Sequence, residues 1–268
     1  NQICGRRMEP RYGDGRLFDV SIDPLEQDPI STKSDSQESA TARKKLGQVL
    51  TSMPKPENAP RDPLHFEATQ QTKIVPKKAK LELLWADGVF TEGPTVAPDE
   101  AVLFSDVLQN KIMRFDPKTG KTTVFREESG SANGLIHDAM GRLLACEGAD
   151  GGGRRISITT SDGKVETLVD NYGGKRFNSP NDITIAPDGT IYFTDPRYRG
   201  PEPREIDHEG VYLFTGGKAK LATKEVQRPN GIVISLDGSK AYVADNNNTY
   251  GGARKLYQFA IDKDGTFG

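Results

Sequence analysis

Beyond Leu81 the chain is a succession of short apolar runs punctuated by Gly and Asp. Helical periodicity is almost absent from this region, and "DITIAPDGTIYFTD" alternates between apolar and polar positions as a half-buried strand does. Short alternating runs bounded by tight-turn residues are typical of antiparallel β structure. The pattern therefore predicts an all-β region over residues 81–268.

The β region repeats one plan four times: a strand, a turn that carries Asp or Gly, and an apolar strand that ends in a polar residue. The copies are "VAPDEAVLFSD", "HDAMGRLLACE", "IAPDGTIYFTD" and "ISLDGSKAYVAD". Their second turn residues, Glu100, Gly141, Gly189 and Gly238, are 41, 48 and 49 residues apart, and a second hairpin follows each copy. Two hairpins in a period of roughly 40 to 50 residues favour a β-propeller over a sandwich, and about four of its blades are present up to Gly268.

The residues before this region have a different composition, rich in Ser, Thr, Lys, Gln and Pro from about residue 28. Apolar residues at near-helical spacing predict one helix in "SATARKKLGQVLTSM", and "PKPENAPRDP" ends it. We therefore divide the chain into a first segment, 1–54, a linker, 55–80, and the propeller, 81–268.

Composition excludes several classes of function. Lys and Arg total 36 against 38 Asp and Glu, and without a long basic run we expect no nucleic-acid partner. No stretch approaches the roughly 20 apolar residues of a membrane span. The two cysteines, Cys4 and Cys146, are too far apart for a Cys-x-x-Cys zinc site. The three histidines, His65, His137 and His208, have no Gly-x-Ser-x-Gly motif to complete a serine-hydrolase triad.

Polar residues stand directly before or at the start of the innermost strand of each repeat. Asn181 precedes "DITIAP", Asn230 lies in "RPNGIVIS" and Glu92 lies in "FTEGPTVAP", while Asn133 in "SANGLIHD" has the same place in the second blade. In a propeller such residues project towards the central axis, so Glu92, Asn181 and Asn230 are predicted to converge. One carboxylate and two amide oxygens suit Ca²⁺ or a similar divalent ion and disfavour Zn²⁺.

Three motifs, "FTEGP", "NSPNDITIAPDGTIYFTDP" and "RPNGIVISLDGSKAYVAD", resemble the SMP-30, gluconolactonase and diisopropylfluorophosphatase-like six-bladed propellers. The resemblance implies one divalent ion, usually Ca²⁺, held at the channel mouth by Glu, Asn, Asn and Asp. The first three are Glu92, Asn181 and Asn230. The fourth, an Asp that also serves in catalysis, is expected beyond Gly268.

Two further residues are candidates for contact with substrate. Asn133 is one, and Asp195 at the end of "YFTD" is the other, although an Asp in that place also commonly caps a turn. Asp245 in "YVADN" is a weaker candidate of the same kind. Ser179 stands where animal members of the family carry a substrate-contacting Arg, which leaves a preference for sugar-acid lactones open.

The resemblance implies a metal-dependent hydrolase that opens a lactone, with the ion polarising the ring carbonyl and a carboxylate activating water. A phosphotriester hydrolase on the same scaffold is the alternative enzyme. A non-catalytic propeller that binds a partner or a carbohydrate is the alternative outside enzymology.

Residues 10–54 resemble something else, the C-terminal tail of a type I sulfatase, through "DGRLFDVSIDPLEQDPIS" and "ARKKLGQVLTSMP". The segment has no Cys-x-Pro-x-Arg motif, so it cannot itself perform sulfatase chemistry. We expect an upstream sulfatase domain in the same polypeptide, and export or a periplasmic location.

Overall fold

The computed structural model describes residues 72–247 and 252–268, together with residues 37, 40, 41 and 44. Most of the sulfatase-like segment and most of the predicted helix lie outside the described residues. The chain divides into two compact units, and one of them contains Asp87–Gly268 with all the strands described below. In the other unit, the described stretch 72–86 is turns and irregular backbone, with the Val75 N–H donating to Thr72 Oγ1 at 2.7 Å.

Four antiparallel sheets follow one another along the chain, and in each the strands pair in sequence order. The first sheet consists of β1 (Thr91–Val96), β2 (Val102–Asp106), β3 (Lys111–Asp116) and β4 (Lys121–Glu127). The second consists of β5 (Ala132–His137), β6 (Leu143–Glu147), β7 (Arg155–Thr159) and β8 (Val165–Val169). A short hairpin of β9 (Asn171–Tyr172) and β10 (Lys175–Arg176) follows it.

The third sheet consists of β11 (Ile183–Ile185), β12 (Ile191–Asp195), β13 (Gly210–Thr215) and β14 (Lys218–Thr223). The fourth consists of β15 (Pro229–Ile234), β16 (Lys240–Asp245) and β17 (Leu256–Ala260), and a bridge joins Ile261 to Phe267 at the end of the chain. The four sheets are the blades of a β-propeller, as the repeat predicts. Within the described residues no helix is long and apolar enough to cross a membrane.

The four repeat markers share one backbone conformation. Glu100, Gly141, Gly189 and Gly238 have φ of 73°, 76°, 88° and 72°, respectively, in the turn between the first two strands of each blade. This left-handed region is free of steric cost only for Gly, so the recurring Gly marks the turn type. Glu100 adopts the same left-handed conformation and bears its steric cost, because it has a side chain.

Apolar side chains are buried between neighbouring blades. Leu103 and Ile112 of the first blade pack with Leu135 and Leu143 of the second. Ile156 of the second blade lies in one cluster with residues of the third, and a further cluster joins the third blade to the fourth. This packing fixes each blade against the next, and therefore fixes the spacing of the innermost strands β1, β5, β11 and β15.

Candidate functional site

Four polar residues occupy equivalent places on the innermost strands or just before them, one in each blade: Glu92, Asn133, Asn181 and Asn230. We call them the axial ring. The pairing register shifts directly after Glu92 in β1, and in β5 and β15 the ring residue lies within the shifted stretch. Strand β11 begins two residues after Asn181. Such bulges bend a strand and redirect a side chain, and they recur beside active sites.

Hydrogen bonds to the backbone carbonyls of ring residues connect neighbouring blades. The Gly134 N–H donates to the carbonyl oxygen of Asn181 at 2.7 Å. Ser105 Oγ donates to the carbonyl of Asn133, and Thr194 Oγ1 to that of Asn230, each at 2.7 Å. The carbonyl oxygens are thereby used for assembly, which leaves the side-chain oxygens of the ring as the donors for a ligand.

Gly93 shows how closely the inner strands approach each other. Its φ is +55°, and a Cβ placed on it would lie 2.1 Å from the carbonyl oxygen of Asn133 in the next blade. In three blades the ring residue is followed by Gly, and only in the third does Asp182 take that position. The close approach of the backbones requires Gly at positions 93 and 134, where a Cβ would lie 2.1 and 2.7 Å from backbone atoms of the next blade.

Asp182 is a site residue that the sequence analysis missed. Its Oδ2 accepts the Ile232 N–H at 2.8 Å, which connects the third blade to the fourth. Burial raises the pKa of Asp182, although the hydrogen bonds from Ile232 and Ile183 oppose that shift. The signal was present in the sequence, since Asn-Asp replaces the residue-Gly pair of the other three blades.

Glu92 and Asp182 are two carboxylates in one partly buried region. Burial raises the pKa of Glu92, and the charge of Asp182 raises it further. Neither forms an ion pair within residues 72–247 and 252–268. A bound cation would offset both the burial and the repulsion, so the residues present fit a divalent metal.

The donor set favours a hard cation. The described part of the chain contains no cluster of three or more His, Cys, Asp and Glu that could hold a metal on its own. A metal at the axial ring would therefore depend on the amide oxygens of Asn181 and Asn230 beside the carboxylate of Glu92. Oxygen donors of this kind match Ca²⁺ and are poor ligands for Zn²⁺.

Asp195 is completely buried and braces the loop that leads to Asn181. Its Oδ2 accepts the Asn178 N–H and its Oδ1 the Ser179 N–H, both at 2.7 Å. Burial raises the pKa of Asp195 to about 7, against the effect of these two hydrogen bonds. The contacts match the interpretation of Asp195 as a turn cap, and its contact with substrate stays a prediction.

The same brace recurs in two other blades. Asp106 accepts the N–H groups of Val89 and Phe90 at 2.9 and 3.1 Å, just before Glu92. Asp245 accepts those of Gln227 and Arg228 at 2.9 and 3.3 Å, just before Asn230.

In the second blade Glu147 ends the equivalent strand and pairs instead with Arg126 and Arg155, at 3.1 and 2.8 Å. The polar residue that ends each repeat is thus a buried structural carboxylate, which explains its recurrence in the sequence. It holds the approach to the ring residue in three of the four blades.

Strands β6 and β12 run antiparallel to the innermost strands β5 and β11. The loops that follow β6 and β12 therefore lie at the same end of the blades as the axial ring. Ser179 Oγ accepts the Ala149 N–H at 2.9 Å, which attaches the first of these loops to the ring approach. Glu202 Oε1 accepts the Gly151 N–H at 2.7 Å, which attaches it to the second. The glycine-rich stretch "GADGGGRR", residues 148–155, is thereby tied to its neighbours.

Comparison with known proteins agrees with this architecture. Residues 90–267 match the family model for the SMP-30/gluconolactonase/LRE-like region. The chain belongs to this family. It is 30% identical over 213 residues to a gluconolactonase of Zymomonas mobilis, a match that covers 72% of this chain and 58% of the relative.

Two solved structures superimpose on the chain. A gluconolactonase of Xanthomonas campestris aligns with a TM-score of 0.64 and 30% identity, over 71% of this chain and 64% of that protein. A regucalcin of Agrobacterium tumefaciens, described as a calcium-binding protein, aligns with a TM-score of 0.53 over 67% and 57% of the two chains. Its 18% identity shows the common fold alone. The chain thus spans less than two thirds of the Zymomonas and Xanthomonas gluconolactonases.

Replacing Gly93 by Ala tests the packing of the inner strands. Gly120→Ala is the matched control, because Gly120 also has a positive φ, +67°, but a Cβ there meets nothing within 4 Å. We expect the control to cost about 1–2 kcal/mol of stability for its backbone conformation. Gly93→Ala should cost at least about 2 kcal/mol more, because the new methyl group overpacks the neighbouring carbonyl. Equal urea midpoints for the two variants would contradict the close approach.

Replacing Asp195 by Ala tests the brace. The variant leaves the buried N–H group of Asn178 and the partly buried N–H group of Ser179 without their acceptor, which should lower the free energy of unfolding by about 2–5 kcal/mol. Asp188→Ala is the control, since exposed Asp188 accepts one N–H, that of Thr190 at 2.9 Å, in a turn of the same blade. Denaturant unfolding should show a clearly smaller loss for the control, and a similar loss would mean that the brace adds little.

Proposed function

We propose that this protein is a metal-dependent hydrolase that opens lactones, of the gluconolactonase type. The observation that carries the proposal is the axial ring, which brings a carboxylate and amide side chains from successive blades to equivalent places. Family membership and the 30% identity to a gluconolactonase support the same reaction class. A small-molecule lactone is the proposed substrate.

Glu92, Asn181 and Asn230 are the proposed ligands of one divalent cation, Ca²⁺. When bound, the ion supplies Lewis-acid polarisation of the substrate carbonyl and stabilisation of the oxyanion. Glu92 contributes the negative charge, and the amide oxygens contribute neutral donors that are not lost by protonation in the ordinary pH range. Asp182 adds a second negative charge beside Glu92 without being needed as a ligand, because its Oδ2 already accepts the Ile232 N–H.

The remaining residues of the site hold the ligands and receive the substrate. Asn133 is the proposed substrate contact of the ring, since its amide can donate to a ring oxygen or hydroxyl of the lactone. Asn181 is buried, with 8% of its surface exposed, so water competes little with a ligand for its amide oxygen. Asp195 keeps Asn181 in place through the loop Asn178–Ser179.

Removal of the charge of Glu92 should weaken metal binding. In the full-length protein, Glu92→Gln is expected to lower Ca²⁺ affinity by more than about tenfold, because the affinity of oxygen sites depends on the charge of their ligands. Isothermal titration after chelation measures this. Glu100→Gln is the control, an exposed carboxylate in a turn whose partner is Lys118 at 3.5 Å. Full Ca²⁺ affinity in Glu92→Gln would show that this residue is not a ligand.

Acid release in a pH-stat tests the reaction itself. With glucono-δ-lactone and a few related lactones, we expect saturable release above the spontaneous rate, abolished by chelation and restored by added Ca²⁺. A phosphotriester is assayed under identical conditions. Hydrolysis of the phosphotriester alone would replace the proposal by the alternative enzyme class, and no hydrolysis of either would leave a propeller that only binds.

A further inference from the structure

Tyr198 lies in the long loop between β12 and β13 and reaches the axial ring. Asn230 Nδ2 donates a hydrogen bond to its hydroxyl oxygen, with the two atoms 3.0 Å apart. The side chain remains accessible, with 37% of the residue exposed. Tyr198 is thus the loop residue that contacts a proposed metal ligand directly.

Arg228, directly before β15 of the fourth blade, packs over the ring of Tyr198. The guanidinium carbon of Arg228 is 5.3 Å from the ring centroid, a distance at which a cation interacts favourably with the aromatic face. Arg228 is itself anchored, since its Nε donates to Glu209 Oε2 at 3.3 Å and Glu209 is buried. The hydroxyl therefore has a defined position beside Asn230, although it is carried by a loop.

An Asn ligand presents a problem that a carboxylate does not. Its amide has an acceptor oxygen and a donor nitrogen, and a half-turn about the last side-chain bond exchanges them. The oxygen must face a cation, whereas a reversed amide presents its N–H groups and repels it. Some neighbouring group has to select between the two orientations at Asn230.

The surroundings of the Tyr198 hydroxyl favour one orientation. A phenol is neutral below about pH 10, so its hydroxyl has one proton to donate and an oxygen to accept. In the structure the hydroxyl oxygen accepts from Asn230 Nδ2 at 3.0 Å, which places the amide nitrogen on the Tyr198 side and turns Oδ1 of Asn230 away from Tyr198.

We propose that Tyr198 is a positioning residue that orients the Asn230 amide, accepting from its nitrogen so that its oxygen is presented to the cation. The inference rests on the proposed function, because it needs a cation at the axial ring. A cation on Oδ1 also polarises the amide and strengthens the N–H donation, so metal binding and the Tyr198 hydrogen bond reinforce each other. Hydrogen-bonding partners of metal ligands commonly act in this way.

Tyr198→Phe removes the hydroxyl and keeps the ring under Arg228. We expect the Ca²⁺ dissociation constant of the full-length protein, measured by isothermal titration after chelation, to rise about tenfold. Tyr192→Phe is the matched control, since the Tyr192 hydroxyl also makes one hydrogen bond, to the Gly265 carbonyl at 3.0 Å, away from the axial ring. The control should keep the wild-type affinity, and thermal unfolding of both variants reports any general loss of stability.

A double variant that combines Tyr198→Phe with Asn230→Asp separates orientation from a merely structural effect. A carboxylate has two equivalent oxygens, so it needs no group to orient it. When Asn230→Asp is already present, Tyr198→Phe should therefore change Ca²⁺ affinity by less than about threefold, against about tenfold in the wild type. An equal loss in both backgrounds would overturn the orienting role.

The outcomes separate this inference from the proposed function. If the wild type binds Ca²⁺ and Glu92→Gln weakens binding while Tyr198→Phe has no effect, the positioning role is wrong and the metal site stands. If the wild type binds no Ca²⁺, both are overturned.

Discussion

The close approach of neighbouring inner strands is the constraint on which the rest of this structure depends. Where β1 meets β5, the backbone of Gly93 lies so near the carbonyl of Asn133 that no side chain fits between them. The second and third blades approach each other in a similar way, since the Gly134 N–H donates to the carbonyl of Asn181. Because these contacts set the positions of the ring residues, the place of the proposed ligand site is a consequence of how the blades pack.

Buried carboxylates reinforce the arrangement from behind. Asp106, Asp195 and Asp245 each accept backbone N–H groups from the segment that precedes a ring residue. A buried carboxylate that accepts two good hydrogen bonds is costly to disturb. Each of these carboxylates therefore fixes the loop segment that leads to a ring residue. The propeller can therefore present side chains from loops without giving up their precision.

The site combines this rigidity with an unfavourable local charge. Glu92 and Asp182 are close enough for one to raise the pKa of the other, and burial raises both. A protein keeps such a pair where a cation can compensate it, which is the physical link between the fold and the proposed lactone chemistry. Tyr198 has a further role, since its hydroxyl distinguishes the nitrogen of the Asn230 amide from the oxygen, which the backbone alone leaves equivalent.

Much of the fold follows from the sequence alone, because strand alternation and the Gly or Asp of each turn are local properties. The spacing of the repeat markers predicts the blades, and the ring residues could be named because they hold equivalent places in a repeat, although their roles as ligands remain proposals. The tertiary structure decided which polar groups face each other across blades. The role of Asp195 could not be assigned from the sequence, since a turn cap and a channel residue have the same local pattern. The charge of Asp182 beside Glu92 and the hydrogen bond from Asn230 to Tyr198 join residues far apart in the chain. Such contacts arise only when the blades pack around a common axis.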